Sequence, residues 1–289
     1  MATLTRSSAL HASLLRRELS ERGQKFARTH GLAAELSYGS SPAVLFAASA
    51  EAHGNFLASS YRAILENPAW QRRLRKVHTS DSLPRAERRW CELDSSNSSD
   101  GLLMNIFCCP ESFADGRVAT LLGVERDERE FGFKARVPLQ GGKSDRTEVD
   151  MRLDNLLVEA KLTEADFQSK AKQSVERYRD FEKVFRRRDL PQSKTTYSSY
   201  QLIRNVLAAF ALDCSFCVML DARRPDLLEQ WYAVMRCVKQ GDLRTRCKVL
   251  TWQELSEALP PELQDFLDEK YGIRPGPLTP YEFEHLREF

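Results

Sequence analysis

Arg146-Thr147-Glu148-Val149-Asp150-Met151-Arg152-Leu153 and Leu156-Leu157-Val158-Glu159-Ala160-Lys161-Leu162 stand on either side of Asp154-Asn155, and this stretch decides the fold. Alternating residues broken by a two-residue Asp/Asn turn predict a β-hairpin. With a two-residue loop Leu153 faces Leu156, which sets Asp150 opposite Glu159 and Glu148 opposite Lys161. Strand side chains alternate between faces, so these four project from one side. Opposed residues hold their Cβ atoms about 4.5–5.5 Å apart, a separation at which like charges repel. Two carboxylates so placed call for a cation, and Mg2+ takes carboxylate and phosphate oxygens. An ordinary surface hairpin also carries charges, with Glu148 and Lys161 as a cross-strand ion pair. Against that reading stand the repulsive Asp150/Glu159 pair and the leucines and valine around Glu159, among which a charge needs a partner.

An Asp ending one strand and Glu-x-Lys on the next resembles the active-site signature of the PD-(D/E)XK nuclease superfamily. Here it reads Val149-Asp150, then Glu159-Ala160-Lys161, with Val149 where the literal signature has Pro. The chain is also similar to one bacterial family of restriction endonucleases. That likeness lies in Trp90-Cys91-Glu92-Leu93-Asp94-Ser95-Ser96-Asn97, Leu103-Met104-Asn105-Ile106-Phe107, the hairpin, and Tyr200-Gln201-Leu202-Ile203-Arg204-Asn205. The resemblance implies an α/β fold, a restriction-endonuclease-like mixed β-sheet flanked by helices. It also implies Mg2+, with Mn2+ as a substitute, held by Asp150, Glu159 and the Ala160 backbone carbonyl. Lys161 would orient or activate the water and offset phosphate charge, with Glu148 its partner or a further ligand. A helix carboxylate ahead of the sheet is expected as well: Glu92 is the candidate, and Glu111 and Glu130 compete with it. Gln201 and Arg204 share one helix face with Asn205 beside them, and could reach phosphate or metal or form a plain solvated stripe. Gln173 and Tyr178 are weaker candidates, and Tyr178 also fits an apolar stripe.

Across 289 residues, 43 Lys+Arg against 41 Asp+Glu leave a net charge of +2, so no overall basic field announces nucleic acid. The cations cluster instead at Arg72-Arg73-x-Arg75-Lys76, Arg85-x-x-Arg88-Arg89 and Arg186-Arg187-Arg188. Such runs are ordinary on solvated helix faces, yet a nuclease needs some of them, since phosphate neutralisation supplies much of DNA affinity. The longest apolar stretch, residues 43–50, is too short for a bilayer, and the N-terminal segment lacks a hydrophobic signal core. A cytoplasmic protein without membrane partners is expected. Cys91, Cys108, Cys109, Cys214, Cys217, Cys237 and Cys247 make an odd set, several within apolar runs, which fits reduced buried thiols. Cys214 and Cys217 lie three apart on an expected strand and face opposite sides, which disfavours zinc.

The length allows one large domain or two small ones, and a 42% hydrophobic fraction supports a substantial core. Residues 1–90 read as a helical N-terminal region, 91–273 as the nuclease-like core and 274–289 as a tail. Expected elements include a helix after the Asn97-Ser98-Ser99-Asp100 cap cluster and strands over 129–139, 146–153 and 156–162. A long helix is predicted from the Thr163-Glu164-Ala165-Asp166 cap, with Phe167, Ala171, Val175, Tyr178, Phe181 and Phe185 inward. Helices over 200–212, 225–238 and 261–271 and strands over 214–220 and 248–252 follow. A metal-dependent DNA endonuclease of restriction or defence type is the leading expectation, and two-strand cleavage would call for a homodimer. A repair exonuclease of the same fold and a non-catalytic nucleic-acid-binding or assembly module are the alternatives.

Overall fold

The computed structural model describes residues 2–38, 42–49, 51–77 and 90–276. The Arg85–Arg89 basic run and most of the 274–289 tail lie outside these. The chain divides into two compact units. One comprises Met1–Ala9, Val124–Leu220 and Arg224–Leu250; the other comprises Leu10–Gly123, Asp221–Arg223 and Thr251–Phe289.

The first unit is built on a five-stranded sheet: β1 (Arg129–Lys134), β2 (Glu148–Leu153), β3 (Leu156–Ala160), β4 (Ser215–Leu220) and β5 (Cys247–Thr251), in the order β5-β4-β3-β2-β1. The pairs β1/β2 and β2/β3 are antiparallel and β3/β4 is parallel, so the sheet is mixed. The hairpin register is the expected one, with Leu153 opposite Leu156 and Met151 opposite Val158. Asp154 takes the turn at φ 50, a left-handed conformation that a short polar side chain tolerates. Its carboxylate accepts the Glu125 amide at 3.2 Å and Arg126 Nη2 at 2.8 Å, which fastens the turn to the approach of β1. Every residue of β3 is buried, as suits a central strand covered on both faces.

Parallel neighbours need a crossover, and the helix Tyr200–Leu212 supplies it between β3 and β4. Its Leu202, Ile203, Val206 and Leu207 join Leu157, Phe216 and Val218 of the sheet in one buried cluster. The helix Pro225–Met235 adds Leu227, Trp231 and Val234 to the same core. This is the α/β arrangement of mixed sheet and flanking helices that the resemblance implies.

In the second unit, the helix Ser99–Cys108 starts where the polar cluster predicts, with Ser98 Oγ accepting the Gly101 amide at 3.0 Å. The helix Pro261–Tyr271 ends at Gly272, whose φ of 65 closes it; a Cβ there would come within 2.7 Å of Arg22. All seven cysteines are free thiols, five of them buried. Among the described residues no helix is long and apolar enough to cross a membrane.

Two expected elements differ. The strand over 129–139 breaks at Arg136, which stands at φ 50, and Val137–Pro138 turns to pair with Ser144–Asp145 instead. The long helix after Thr163 is replaced by loop and by the short turns Lys172–Val175 and Phe181–Val184. Phe167, Val175, Tyr178, Phe181 and Phe185 are nonetheless buried, so their spacing marked a core but not a helix, while Ala171, expected to face inward with them, is exposed on the short strand Lys170–Ala171. Arg224 Nη1 takes the Leu162 and Glu164 carbonyls at 3.1 and 2.8 Å, and Nη2 takes that of Ala165 at 3.3 Å. A helix would use those carbonyls for its own amides. Gln168, at φ 59, then turns the chain away.

Candidate active site

Glu159 lies near the end of β3 and is 1% exposed. A carboxylate so buried is costly unless its oxygens are partnered. Lys161 Nζ donates to Oε1 at 2.8 Å, and Asn205 Nδ2 donates to Oε2 at 2.7 Å. Arg204 Nη2 stands 3.9 Å from the same Oε2. Arg204 also donates through Nε to Asn205 Oδ1 at 3.0 Å and through Nη2 to the Glu148 carbonyl at 2.8 Å. The crossover helix thus reaches Glu159 through an amide whose direction is set by a buried guanidinium.

Asp150 is half-buried on β2, and its Oδ2 accepts the Ala160 amide at 2.7 Å. A side-chain oxygen here does the work of a cross-strand carbonyl, and the β2/β3 ladder ends at Met151 and Val158. The Lys161 amide goes to the Met219 carbonyl of β4 at 2.8 Å. Its ammonium turns to Glu159, where strict alternation had set Glu148 across from it. Burial alone would lower the Lys161 pKa, but the charges of Glu159, Glu164 and Asp150 more than offset this and raise it above the ordinary lysine value. Lys161 is therefore an ammonium, with the Phe167 ring 5.7 Å away.

The loop leaving Lys161 is held by the same Arg224 that dismantles the expected helix. This guanidinium is fully buried, and Asp226 receives its Nε at 2.9 Å and Nη2 at 2.8 Å. A second polar knot stands at the start of the crossover helix. Tyr178 Oη donates to Asp145 Oδ2 at 2.5 Å and lies 2.8 Å from Tyr200 Oη. Burial would raise the Asp145 pKa, but hydrogen bonds from Thr147 and Tyr178 and the Arg204 charge hold it below the usual carboxylate range. Burial and the Asp145 hydrogen bond push the Tyr178 hydroxyl far above its ordinary value.

The structure thus brings together Asp150, Glu159, Lys161 and Arg204. Gln201 lies on the crossover helix three residues before Arg204; its Oε1 is buried and lacks a hydrogen-bond partner among the described residues. Glu92 belongs to the other unit, where it opens a short turn and receives Lys76 Nζ at 3.1 Å. Burial raises its pKa, with the Asp100 charge adding to the effect. Glu111 accepts the Cys109 thiol at 3.1 Å, Glu130 pairs with Arg152 in the β1/β2 register, and Gln173 is exposed. Asp145, Glu164, Tyr200 and Arg224 escape sequence reading. Asp145, Tyr200 and Arg224 meet Tyr178 and the 162–165 carbonyls across long stretches of chain, and a lone Arg after a buried strand is a weak signal. Glu164, read as a cap residue, instead takes the Leu162 amide two residues back at 2.7 Å. Among the described residues no three Asp, Glu, His or Cys side chains converge to hold an ion.

No curated protein and no solved structure matches this chain. The sequence model described as Restriction Endonuclease associating with ARP, REase-ARP, matches residues 13–272, which include the sheet, the crossover helix and every residue placed around Glu159. The chain therefore belongs to this restriction endonuclease family, with the α/β fold that membership entails.

Proposed function

We propose that the protein is a Mg2+-dependent endonuclease that hydrolyses DNA phosphodiester bonds at the β2/β3 hairpin, and that it serves restriction or defence in the cytoplasm. The observation that carries this reading is Glu159: a buried carboxylate oriented by Asn205, neighboured by Asp150 and charge-matched by Lys161. The donors fit a hard cation. Asp150, Glu159 and the Ala160 carbonyl offer oxygen only, and Mg2+ commonly takes one or two carboxylates and leaves the rest to water and phosphate. When bound, Mg2+, or Mn2+ in its place, polarises the scissile phosphate and lowers the pKa of its water.

The chain's own residues do the rest. Asn205 and Arg204 hold the Glu159 carboxylate in one orientation from the crossover helix, and Lys161 carries the positive charge that offsets the phosphate as negative charge builds. Arg224 fixes the loop on which that lysine depends.

Purified protein with supercoiled plasmid and Mg2+ is expected to nick or linearise it, and Asp150→Ala to lower the rate by about 10³-fold. Equal cleavage by the variant would remove the hairpin from the mechanism. Intact circles with degraded linear DNA would make the enzyme an exonuclease instead. No cleavage and no Mg2+ binding by either protein would leave a binding module. A cooperative cut of both strands, lost on dilution, is the expected sign of a homodimer.

A further inference from the structure

We infer that the DNA is held by its phosphate backbone on a basic ledge formed by the 137–145 turn and the 170–194 segment; this rests on the endonuclease reading. The net charge of +2 conceals an uneven distribution. Residues 170–194 hold nine Lys and Arg against four Asp and Glu, and residues 134–146 hold four against one. That one acid, Asp145, is turned to Tyr178 and Thr147. The two segments are laced together by their backbones: the Gln140 amide donates to the Arg177 carbonyl at 2.8 Å, and the Arg179 amide to the Pro138 carbonyl at 3.0 Å. Lys143, Arg146, Lys170, Arg177, Arg179 and Lys194 are all exposed.

At the tip of the turn lies a cleft of about 350 Å³ lined by Gly141, Gly142, Lys143, Ser144 and Arg179. The glycines stand at φ 78 and 77, and a Cβ on either would meet no atom within 4 Å. A hairpin turn explains their backbone. It does not explain two cations and a hydroxyl around open space. The lining holds no aromatic ring on which a base could stack, so it reads phosphate and not sequence. Asp180 fixes the direction of the Arg179 guanidinium at 2.9 Å.

The ledge is also rigidly tied to the hairpin. Tyr178, between Arg177 and Arg179, is bonded to Asp145 and shares its hydroxyl contact with Tyr200, the first residue of the helix that presents Asn205 to Glu159. A phosphate gripped at the turn therefore fixes the register of the strand over the acids.

The test is anisotropy of a labelled duplex with the full-length protein, in Ca2+ to prevent turnover, across a salt series. Lys143→Ala/Arg179→Ala, both exposed, should melt like the parent. Its affinity is expected to fall about 10-fold or more near 150 mM salt, and its slope of log K against log salt to shrink by about two. Arg244→Ala, an exposed cation elsewhere in the unit, should stay within about twofold of the parent, and Asp150→Ala should bind at least as tightly as the parent. A double variant within twofold of a parent that binds and cuts would overturn the ledge and leave the endonuclease reading standing. Equal weakening by Arg244→Ala would overturn it too, as diffuse attraction. A parent that neither binds nor cuts duplex would overturn both.

Discussion

Glu159 is held from two directions by its own chain, so its geometry is set before any ligand arrives. Truncation of Asn205 to Ala removes one hold and leaves a buried oxygen without its 2.7 Å donor. The expected cost is about 1–3 kcal/mol of stability and, where Glu159 holds the metal as proposed, about 10–100-fold in cleavage rate. A Mg2+ titration of plasmid nicking shows the loss as a raised metal requirement. Asp221 makes a purely structural counterpart: it is fully buried and takes Arg223 Nη2 at 2.6 Å. Burial would raise its pKa, but Arg223 holds it below the usual carboxylate range. Its contribution is therefore complete above the ordinary Asp value and is lost as the pH falls through the folded value. Asp221→Asn should cost about 3–5 kcal/mol at neutral pH and flatten the acid limb of unfolding followed by circular dichroism. Asp150, Glu159 and Lys161 were legible as a set because period-two alternation brings charges together within one hairpin. Asn205 was visible only as a neighbour of Arg204, since its task depends on how a distant helix docks.

The loop after β3 shows where sequence pattern and tertiary contact part. Phe167, Val175, Tyr178, Phe181 and Phe185 are spaced to suggest a helix, and all are buried. Their burial was legible, but their backbone was not, because one guanidinium 60 residues on takes the carbonyls that would have nucleated it. Arg224→Met would leave those carbonyls without their donor and take the buried guanidinium from Asp226, at a cost of about 3–5 kcal/mol in urea unfolding. Arg224→Lys should rescue little of it, since an ammonium cannot replace a planar fork spread over three carbonyls and a carboxylate. The crossover helix, by contrast, spans the residues its apolar stripe predicts, and the helix Pro261–Tyr271 starts at its proline and ends at Gly272 as expected. Local chemistry decides those ends, so a single sequence suffices.

For the whole molecule, the mixed sheet in the order β5-β4-β3-β2-β1 puts the hairpin beside a parallel strand reached by a crossover helix. That topology delivers Asn205 and Arg204 to carboxylates far away in the chain, and family membership over residues 13–272 agrees with it. Strand order could not be read from the sequence, because several apolar segments compete for the same neighbours. The composition was equally silent about the ledge, as a net charge near zero averages over its basic turn and segment. Removing the divalent cation with a chelator should abolish cleavage without unfolding, since the sheet is closed by its own apolar core.

Glu159→Gln probes the proposed role of the buried carboxylate, because it keeps shape and volume while removing the charge. Single-turnover cleavage of supercoiled plasmid, run well below the variant's melting temperature because Lys161 loses its buried ion-pair partner, should fall at least about 10²-fold across the Mg2+ range. Cleavage at the parent's rate and the parent's Mg2+ dependence would contradict the account.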